Sequence, residues 1–220
     1  MGFNGAGKTT FIKLLLGLYE PTEGEILING RNVKEYSERS LRRYMSAVFQ
    51  DYKIFAMSVE DNITLGADGP AECLTESMER AGIRERVELL GKKEKAVIGG
   101  FFEEGDLLLS GGESQKIAMA RSFYRKTPVI ALDEPTSALD VVSEDKMYKS
   151  VMEKAEGETI LFISHRLASA RFCDRILVFD SGEITEEGSH GELLSQKGCY
   201  YEMWNVQAEK FNGRGAYEEL

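Results

Sequence analysis

Nine residues near the start of the chain place the tightest constraint on its fold. Gly2 to Thr10 read GFNGAGKTT, which contains the spacing G-x-x-x-x-G-K-T. Glycines at this spacing let the backbone turn so that successive N–H groups face one hollow. The apolar run from Phe11 to Leu16 then predicts a helix whose N-terminal end faces the same hollow, and such an end attracts phosphate. The sequence therefore predicts a phosphate-binding loop.

The side chains of this loop offer two kinds of contact to a nucleotide. Lys8 is predicted to reach the β- and γ-phosphates, and the Thr9 hydroxyl is predicted to ligate Mg²⁺. The other predicted nucleotide-binding residues of the loop are Asn4, Gly5, Ala6, Gly7 and Thr10. A loop of this kind normally follows a buried parallel strand, but only Met1 precedes Gly2. We therefore expect the N-terminal strands of the fold to be missing from this sequence.

Length, composition and charge narrow the class of protein further. A chain of 220 residues with 42% hydrophobic residues can bury one substantial core. Its net charge of −10 argues against a nucleic-acid partner, because such binding depends on basic residues that neutralise phosphates. No stretch approaches the roughly 18 apolar residues that cross a bilayer, and no signal-peptide pattern opens the chain. We expect a cytoplasmic domain that does not bind nucleic acid.

Strand and helix patterns alternate along the chain. Apolar runs predict buried strands at Ser46 to Phe49, Val129 to Leu132 and Thr159 to Ile163, with helical patterns between them. This alternation predicts an α/β fold with a parallel sheet, of the P-loop NTPase type. The predicted division of the chain is a core at residues 1–50 and 125–200, a mainly helical subdomain at 51–124 and a C-terminal helix or tail at 200–220.

Two carboxylates follow the predicted strand Val129 to Leu132. Asp133 and Glu134 come at its C-terminal end, where ligands gather in open α/β sheets. Asp133 suits the coordination shell of Mg²⁺, and Glu134 suits a general base that polarises an attacking water. An acidic pair after a strand is common in ordinary loops. The phosphate loop in the same chain is what makes the catalytic interpretation specific.

The segment LSGGESQ, from Leu109 to Gln115, predicts a second anion-binding helix end. Ser110, Gly111 and Gly112 stand where a helix begins, so unpaired backbone N–H groups face outward there. Taken alone, the segment is explained equally well by a serine-capped helix with glycines in the turn. One nucleotide does not need two such ends from one chain, so we predict that a second copy presents its phosphate to this segment.

Together these motifs resemble the nucleotide-binding domain of an ABC transporter. The resemblance covers nearly the whole chain, and the motifs stand in the order that the family shows. They are Walker A at Gly2 to Thr10, the Q-loop at Gln50, the signature at Leu109 to Gln115, Walker B at Val129 to Glu134, the D-loop at Ser137 to Asp140 and the switch histidine at His165. The segments Val59 to Ile63 and Gly188 to Leu193 resemble the exporter branch, whose domains are usually fused behind a membrane domain.

The resemblance implies three residues for ATP hydrolysis. Glu134 would activate water, and His165 would contact the γ-phosphate. Gln50 would reach the metal and the water, and would move with the membrane domain. The implied metal ligands are Thr9, Gln50 and Asp133. His190, by contrast, stands in the distal turn near Gly188 to Leu193 and is expected to be a surface residue.

The resemblance also implies a pair of domains facing each other head to tail, with ATP between them. Ser110, Gly111, Gly112 and Glu113 of one domain would contact the nucleotide held by the other, although the family most often has glutamine in place of Glu113. Ser137 and Asp140 would contact the opposing domain. Asp140 taken alone has a simpler interpretation as the cap of the helix that follows it.

The implied function is ATP binding and hydrolysis that drives export, at the cytoplasmic face of a membrane when the domain is joined to its membrane domain. Two alternatives stay open. The chain could be a truncated, catalytically impaired remnant that acts only by nucleotide binding or subunit association. It could also be a soluble ABC ATPase with no transport role, which the acidic charge and the lack of a long heptad insertion disfavour.

Overall fold

The computed structural model describes residues 1–2, 5–99, 107–155, 157–164 and 166–206. The α-helices are α1 Lys8–Leu15, α2 Glu38–Tyr44, α3 Val59–Thr64, α4 Ala71–Arg80, α5 Arg84–Glu88, α6 Gly111–Tyr124, α7 Val141–Glu153 and α8 His190–Gln196. The strands are β1 Leu27–Ile28, β2 Arg31–Asn32, β3 Met45–Val48, β4 Val129–Asp133, β5 Thr159–Ile163, β6 Ile176–Asp180 and β7 Glu183–Gly188. Short 3₁₀ helices occupy Val33–Glu35, Lys93–Lys95 and Leu167–Phe172.

A parallel sheet in the order β3-β4-β5 confirms the predicted α/β fold. Central strand β4 reads VIALD, and its residues Ile130 and Leu132 are fully buried, as expected for a strand covered on both faces. Val48 pairs with Leu132, and Asp133 pairs with Ile163. The carboxyl ends of the three strands therefore lie at one edge of the sheet.

Helix α6 packs against β3, β4 and two helices of the middle of the chain, α3 and α4. It is buried along most of its length, and Ile117, Met119 and Ala120 have no exposed area. The N-terminus of α6 is nevertheless exposed at Ser110 and Gly111, so one end of this internal helix reaches solvent.

The chain divides into two compact units. One unit comprises residues 12–163 and contains the sheet β3-β4-β5 and the small hairpin β1-β2. Asn29 and Gly30 join the strands of that hairpin with φ of 52° and 76°, the left-handed pair that a tight two-residue turn requires. The predicted boundaries near residues 50 and 124 stay a prediction.

The other unit comprises residues 1–11 and the described residues from Ser164 onward, including the antiparallel hairpin β6-β7. Gly2 lies parallel to β6 opposite Phe179, and the N–H of Phe179 donates to the Met1 carbonyl at 2.8 Å. Met1 and Gly2 thus pair with β6 at the start of the phosphate loop. Residues 199–206 are helical, and residues 207–220, predicted as a C-terminal tail, lie outside the described residues.

Within the part of the chain that the structure describes, no helix has both the length and the apolar character needed to cross a bilayer.

Candidate nucleotide-binding and catalytic site

The phosphate loop turns through two glycines in the left-handed region. Gly5 has φ of 81° and Gly7 has φ of 94°, and α1 begins at the next residue, Lys8. A side chain placed on Gly5 would meet no atom within 4 Å, so the backbone conformation rather than lack of space requires glycine there. The described part of the loop therefore turns through glycines directly before a helix N-terminus.

Lys8 lies folded over its own loop. Its side-chain nitrogen Nζ donates to the Gly2 carbonyl at 2.7 Å, and the residue is only 8% exposed. A buried ammonium group held at the mouth of a loop of backbone N–H groups fits an anionic ligand such as a nucleotide phosphate. Asn4, another predicted contact in this loop, lies outside the described residues.

The two acidic residues stand where β4 ends. Asp133 is its last residue and is 6% exposed, and Glu134 follows with φ of 51°. The backbone N–H of Glu134 donates to the Ile163 carbonyl of β5 at 2.9 Å. A left-handed glutamate costs on the order of 1 kcal/mol, so this sharp turn persists only because neighbouring structure holds it.

Gln115 of helix α6 holds the peptide group on the other side of Glu134, and sequence reasoning missed it as a functional residue. Its side-chain nitrogen Nε2 donates to the Glu134 carbonyl at 2.9 Å and to the Ser137 hydroxyl at 3.3 Å. Its side-chain oxygen accepts from the Ala138 N–H at 3.3 Å. The residue is 1% exposed. Gln115 therefore joins the signature helix to the backbone of the acidic pair and of the D-loop.

Gln50 follows β3 on the strand next to β4. Val48 of β3 pairs with Leu132 of β4. The residues that follow these two strands, Gln50 after β3 and the pair Asp133-Glu134 at the end of β4, therefore lie at the same edge of the sheet. Gln50 is exposed. The structure thus brings three of the residues predicted for metal binding and hydrolysis to one sheet edge. His165, predicted to act with them, lies outside the described residues.

Ser110 caps helix α6 through a reciprocal pair of hydrogen bonds. Its hydroxyl accepts from the Glu113 N–H at 3.2 Å, and the Glu113 carboxylate accepts from the Ser110 N–H at 2.8 Å. Arg86 also donates to Glu113, with 2.8 Å between Nε and Oε1. Burial alone would raise the pKa of Glu113, but the hydrogen bonds from Ser110 and Arg86 outweigh it and lower that pKa. The predicted contact of Glu113 with nucleotide stays a prediction.

Asp140 acts as the cap of helix α7. Its Oδ1 atom accepts from the N–H groups of Val142 and Ser143, both at 3.0 Å, and the Ser143 hydroxyl donates to Oδ2 at 2.6 Å. The bond from the Ser143 hydroxyl is the largest cause of a lowered pKa at Asp140. The simpler of its two sequence interpretations is therefore confirmed. The predicted contacts of Ser137 and Asp140 with an opposing domain remain predictions.

The two signature glycines differ in what surrounds them, which predicts a difference in stability. A side chain on Gly112 would come within 2.9 Å of Leu139 Cδ2 and 3.2 Å of the Ala138 carbonyl oxygen, whereas one on Gly111 would lie 3.6 Å from Ala138 Cβ, an ordinary contact. We expect Gly112→Ala to lower the free energy of unfolding by about 1 kcal/mol or more through overpacking. The matched variant Gly111→Ala should be neutral or slightly stabilising. Urea unfolding measures both, and equal stabilities would contradict the close packing at Gly112.

The fold and these sites define a P-loop nucleotide-binding domain of the ATPase class. The family model described as ABC transporter matches residues 1–137, which is more than half of the chain. The chain therefore belongs to the ABC transporter family and is an ATP-binding domain of its ATPase type.

The chain is similar to ATP-binding proteins of transporters and to a solved ABC exporter. The chain is 41% identical over 207 residues to the subtilin transport ATP-binding protein SpaT of Bacillus subtilis, covering 92% of this chain and 33% of that protein. It is 36% identical over 209 residues to the ATP-dependent lipid A-core flippase of Paraburkholderia xenovorans, covering 95% and 34%. The structure of a bacterial Atm1-family ABC exporter with ATP bound matches with a TM-score of 0.86 and 36% identity, covering 94% and 36%. The chain thus spans about a third of the length of these proteins.

Proposed function

We propose that this chain binds and hydrolyses ATP to power export, in a head-to-tail pair with a second domain of the same kind. The observation that carries the proposal is the shared sheet edge, where Gln50 and the acidic pair Asp133-Glu134 leave neighbouring parallel strands. An amide and two carboxylates at such an edge can hold a metal ion and activate water beside a nucleotide.

The metal in this proposal is Mg²⁺, with the Thr9 hydroxyl, Gln50 and the Asp133 carboxylate as its protein ligands. Hydroxyl, amide and carboxylate oxygens are the donors that Mg²⁺ prefers, so these residue types fit the ion. The bound ion would neutralise charge on the β- and γ-phosphates. Lys8 would add a second positive charge at the same phosphates, and the backbone of Gly5 to Thr10 would hold them in place.

Glu134 is the proposed general base. The peptide groups on both sides of Glu134 are held, the first by Ile163 through the Glu134 N–H and the second by Gln115 through the Glu134 carbonyl. The side chain therefore departs from a backbone that cannot easily rotate. A base that is positioned before the substrate arrives loses little entropy in the reaction. His165 would assist at the γ-phosphate, as the family resemblance implies.

The exposed N-terminus of α6 is the proposed contact for ATP held by the second domain. The helix has 14 residues, and its cap Ser110 and first residue Gly111 are exposed. Backbone N–H groups at the start of such a helix attract phosphate, and glycine lets the phosphate approach closely. Ser137 and Asp140 would then lie in the contact between the two domains.

We also propose a membrane domain as partner, contacting the surface near Gln50. A cavity of about 500 Å³ in the unit of residues 12–163 is lined by Phe49, the residue before Gln50, and by apolar side chains that include Tyr19 and Leu41. A contact there would move the Q-loop directly. Two of the similar proteins are named for different cargoes, subtilin and lipid A-core, and the solved structure is named an exporter, which supports export as the process that ATP drives.

Removal of the metal tests the proposed reaction. The natural full-length protein is expected to hydrolyse ATP in the presence of Mg²⁺. When EDTA removes the metal, the rate should fall at least about tenfold, because the ion stabilises the charge that develops on the phosphates. Phosphate release is the measurement, with binding of a fluorescent ATP analogue recorded in parallel. An unchanged rate in EDTA would remove Mg²⁺ and its three proposed ligands from the mechanism.

The natural full-length protein also distinguishes the exporter from the two alternative functions. Nucleotide binding without hydrolysis would favour the catalytically impaired remnant. Recovery of the protein in the supernatant after a carbonate wash of membranes would favour a soluble ABC ATPase, whereas retention in the membrane pellet supports the exporter.

A further inference from the structure

The residues after Gln50 lie against the signature helix α6 of the same chain. The N–H of Tyr52 donates to the Phe49 carbonyl at 3.2 Å and closes a turn with Gln50 and Asp51 at its centre. The Tyr52 side chain leaves this turn, and its hydroxyl donates to the Gly111 carbonyl at 3.1 Å. Gly111 directly follows Ser110. A single hydrogen bond therefore joins the Q-loop turn to the first turn of the signature helix.

The same hydroxyl stays a donor at physiological pH. Tyr52 is half-buried, and that burial raises the pKa of its phenol. Because the bond ends on a carbonyl, it leaves the outward-facing N–H groups of the helix start available to an anion.

A second contact attaches the same stretch of chain further along α6. Arg121 donates from Nη1 to the Lys53 carbonyl at 3.0 Å and from Nε to the Asn62 carbonyl at 2.8 Å, and its guanidinium lies 5.6 Å from the centre of the Phe55 ring. Gly111 and Arg121 are ten residues apart on one helix, or about 15 Å at the rise of an α-helix. Two separated attachments fix the orientation of this stretch as well as its position.

We propose that Tyr52 is a positioning residue that ties the Gln50 turn to Ser110, so that a displacement at the Q-loop moves the signature presented to the opposing domain. The inference rests on the proposed function, which gives Gln50 and Ser110 their roles. Gly111 lies in the first turn of α6, directly after the cap Ser110. A displacement of Tyr52 that shifts the Gly111 carbonyl therefore shifts the first turn and the cap together. The ligand affected is the ATP bound by the second domain.

The test measures how long ATP stays trapped between two domains. Glu134→Gln in the natural full-length protein supplies the parent, which is expected to bind ATP and retain it. Adding Tyr52→Phe removes the hydroxyl alone and should speed the release of radiolabelled ATP by about two- to tenfold, the effect of one hydrogen bond. Initial ATP binding should be unchanged, since the phosphate loop is untouched.

Tyr124→Phe is the matched control. Its hydroxyl also donates to a backbone carbonyl, that of Ala67 at 3.3 Å, but from the far end of the same helix. The control should release ATP at the parent's rate. Arg121→Lys is a second variant, which weakens the other attachment and should also speed release. A purely structural role for Tyr52 would change the melting temperature and leave the release rate alone.

The outcomes distinguish the role of Tyr52 from the proposed function itself. Faster release in Tyr52→Phe and in Arg121→Lys, with unchanged initial binding and an unaffected control, supports the inference. Release at the parent's rate in both variants overturns it while leaving the proposed function in place. A parent that fails to retain ATP overturns the proposed function and this inference with it.

Discussion

Replacing Glu134 with glutamine is expected to lower ATP hydrolysis at least about 100-fold, equivalent to about 2.7 kcal/mol of transition-state stabilisation, while ATP binding is retained. The amide is nearly the same size as the carboxylate, so the sharp turn after β4 should survive. It cannot accept a proton from water, which is the role proposed for Glu134. Turnover of the natural full-length protein and binding of a fluorescent ATP analogue are the two measurements.

A control for this substitution removes the same charge elsewhere. Glu153 is exposed near the C-terminal end of α7, and Glu153→Gln should leave turnover within about twofold of the unaltered protein, as expected of a surface change. Near-normal turnover in Glu134→Gln itself would take Glu134 out of the catalytic role. Loss of binding together with turnover would instead point to a damaged fold.

A mixture of two inactive proteins is expected to regain ATP-dependent dimerisation and hydrolysis. Lys8→Ala disables the phosphate loop, and Ser110→Arg places a bulky cation at the signature. If the signature acts on the ATP of the opposing domain, a heterodimer of the two retains one intact composite site, made of Lys8 from one chain and Ser110 from the other. Heterodimers are isolated through two different affinity tags before the assay.

The reciprocal combination is the control for this experiment. A chain carrying both substitutions, paired with an unaltered chain, has no intact site if the signature acts across the dimer, but keeps one if it acts within its own chain. Activity in this pair and none in the first would show that the arrangement is intramolecular. Equal loss in both pairs would argue against any composite site of this kind.

The parts of the fold that the sequence predicted are those with a local signal. The run Thr159 to Ile163 predicts a strand, and β5 has the same bounds, because consecutive β-branched and aromatic residues suit a buried strand. Helix α6 begins directly after Ser110 as predicted, because the serine cap and the glutamate three residues later are both readable from the sequence. These features need no knowledge of distant parts of the chain.

The contacts that sequence reasoning missed join residues far apart in the chain. Gln115 and Glu134 are 19 positions apart, and Tyr52 and Gly111 are 59 apart, so each contact depends on how α6 packs. A weak signal did exist for Gln115, a polar residue one helical turn before the buried stretch at Ala118 and Met119.

His190, near the other end of the chain, is another residue whose contacts could not be predicted from the residues beside it. We expected a surface residue from its position in a turn, but it is half-buried at the start of α8. Its ring nitrogen Nδ1 lies 2.7 Å from the Tyr200 hydroxyl, and its ring lies 4.6 Å from the centre of the Trp204 ring. Burial is the main cause of its lowered pKa, with Arg171 adding to it. Tyr200 and Trp204 belong to the following helix, and the residues around His190 do not predict that this helix packs against it.

The cap at Ser110 also decides which way the serine hydroxyl can bind. A hydroxyl has one proton to give and two lone pairs that accept. At Ser110 one lone pair is already used by the Glu113 N–H, which leaves the hydroxyl proton and one lone pair for a group arriving from outside the helix. The glycines beside it present only N–H protons in the same direction. The cap that begins the helix therefore leaves the hydroxyl proton to point the same way as these N–H groups, and together they favour an oxyanion over a cation.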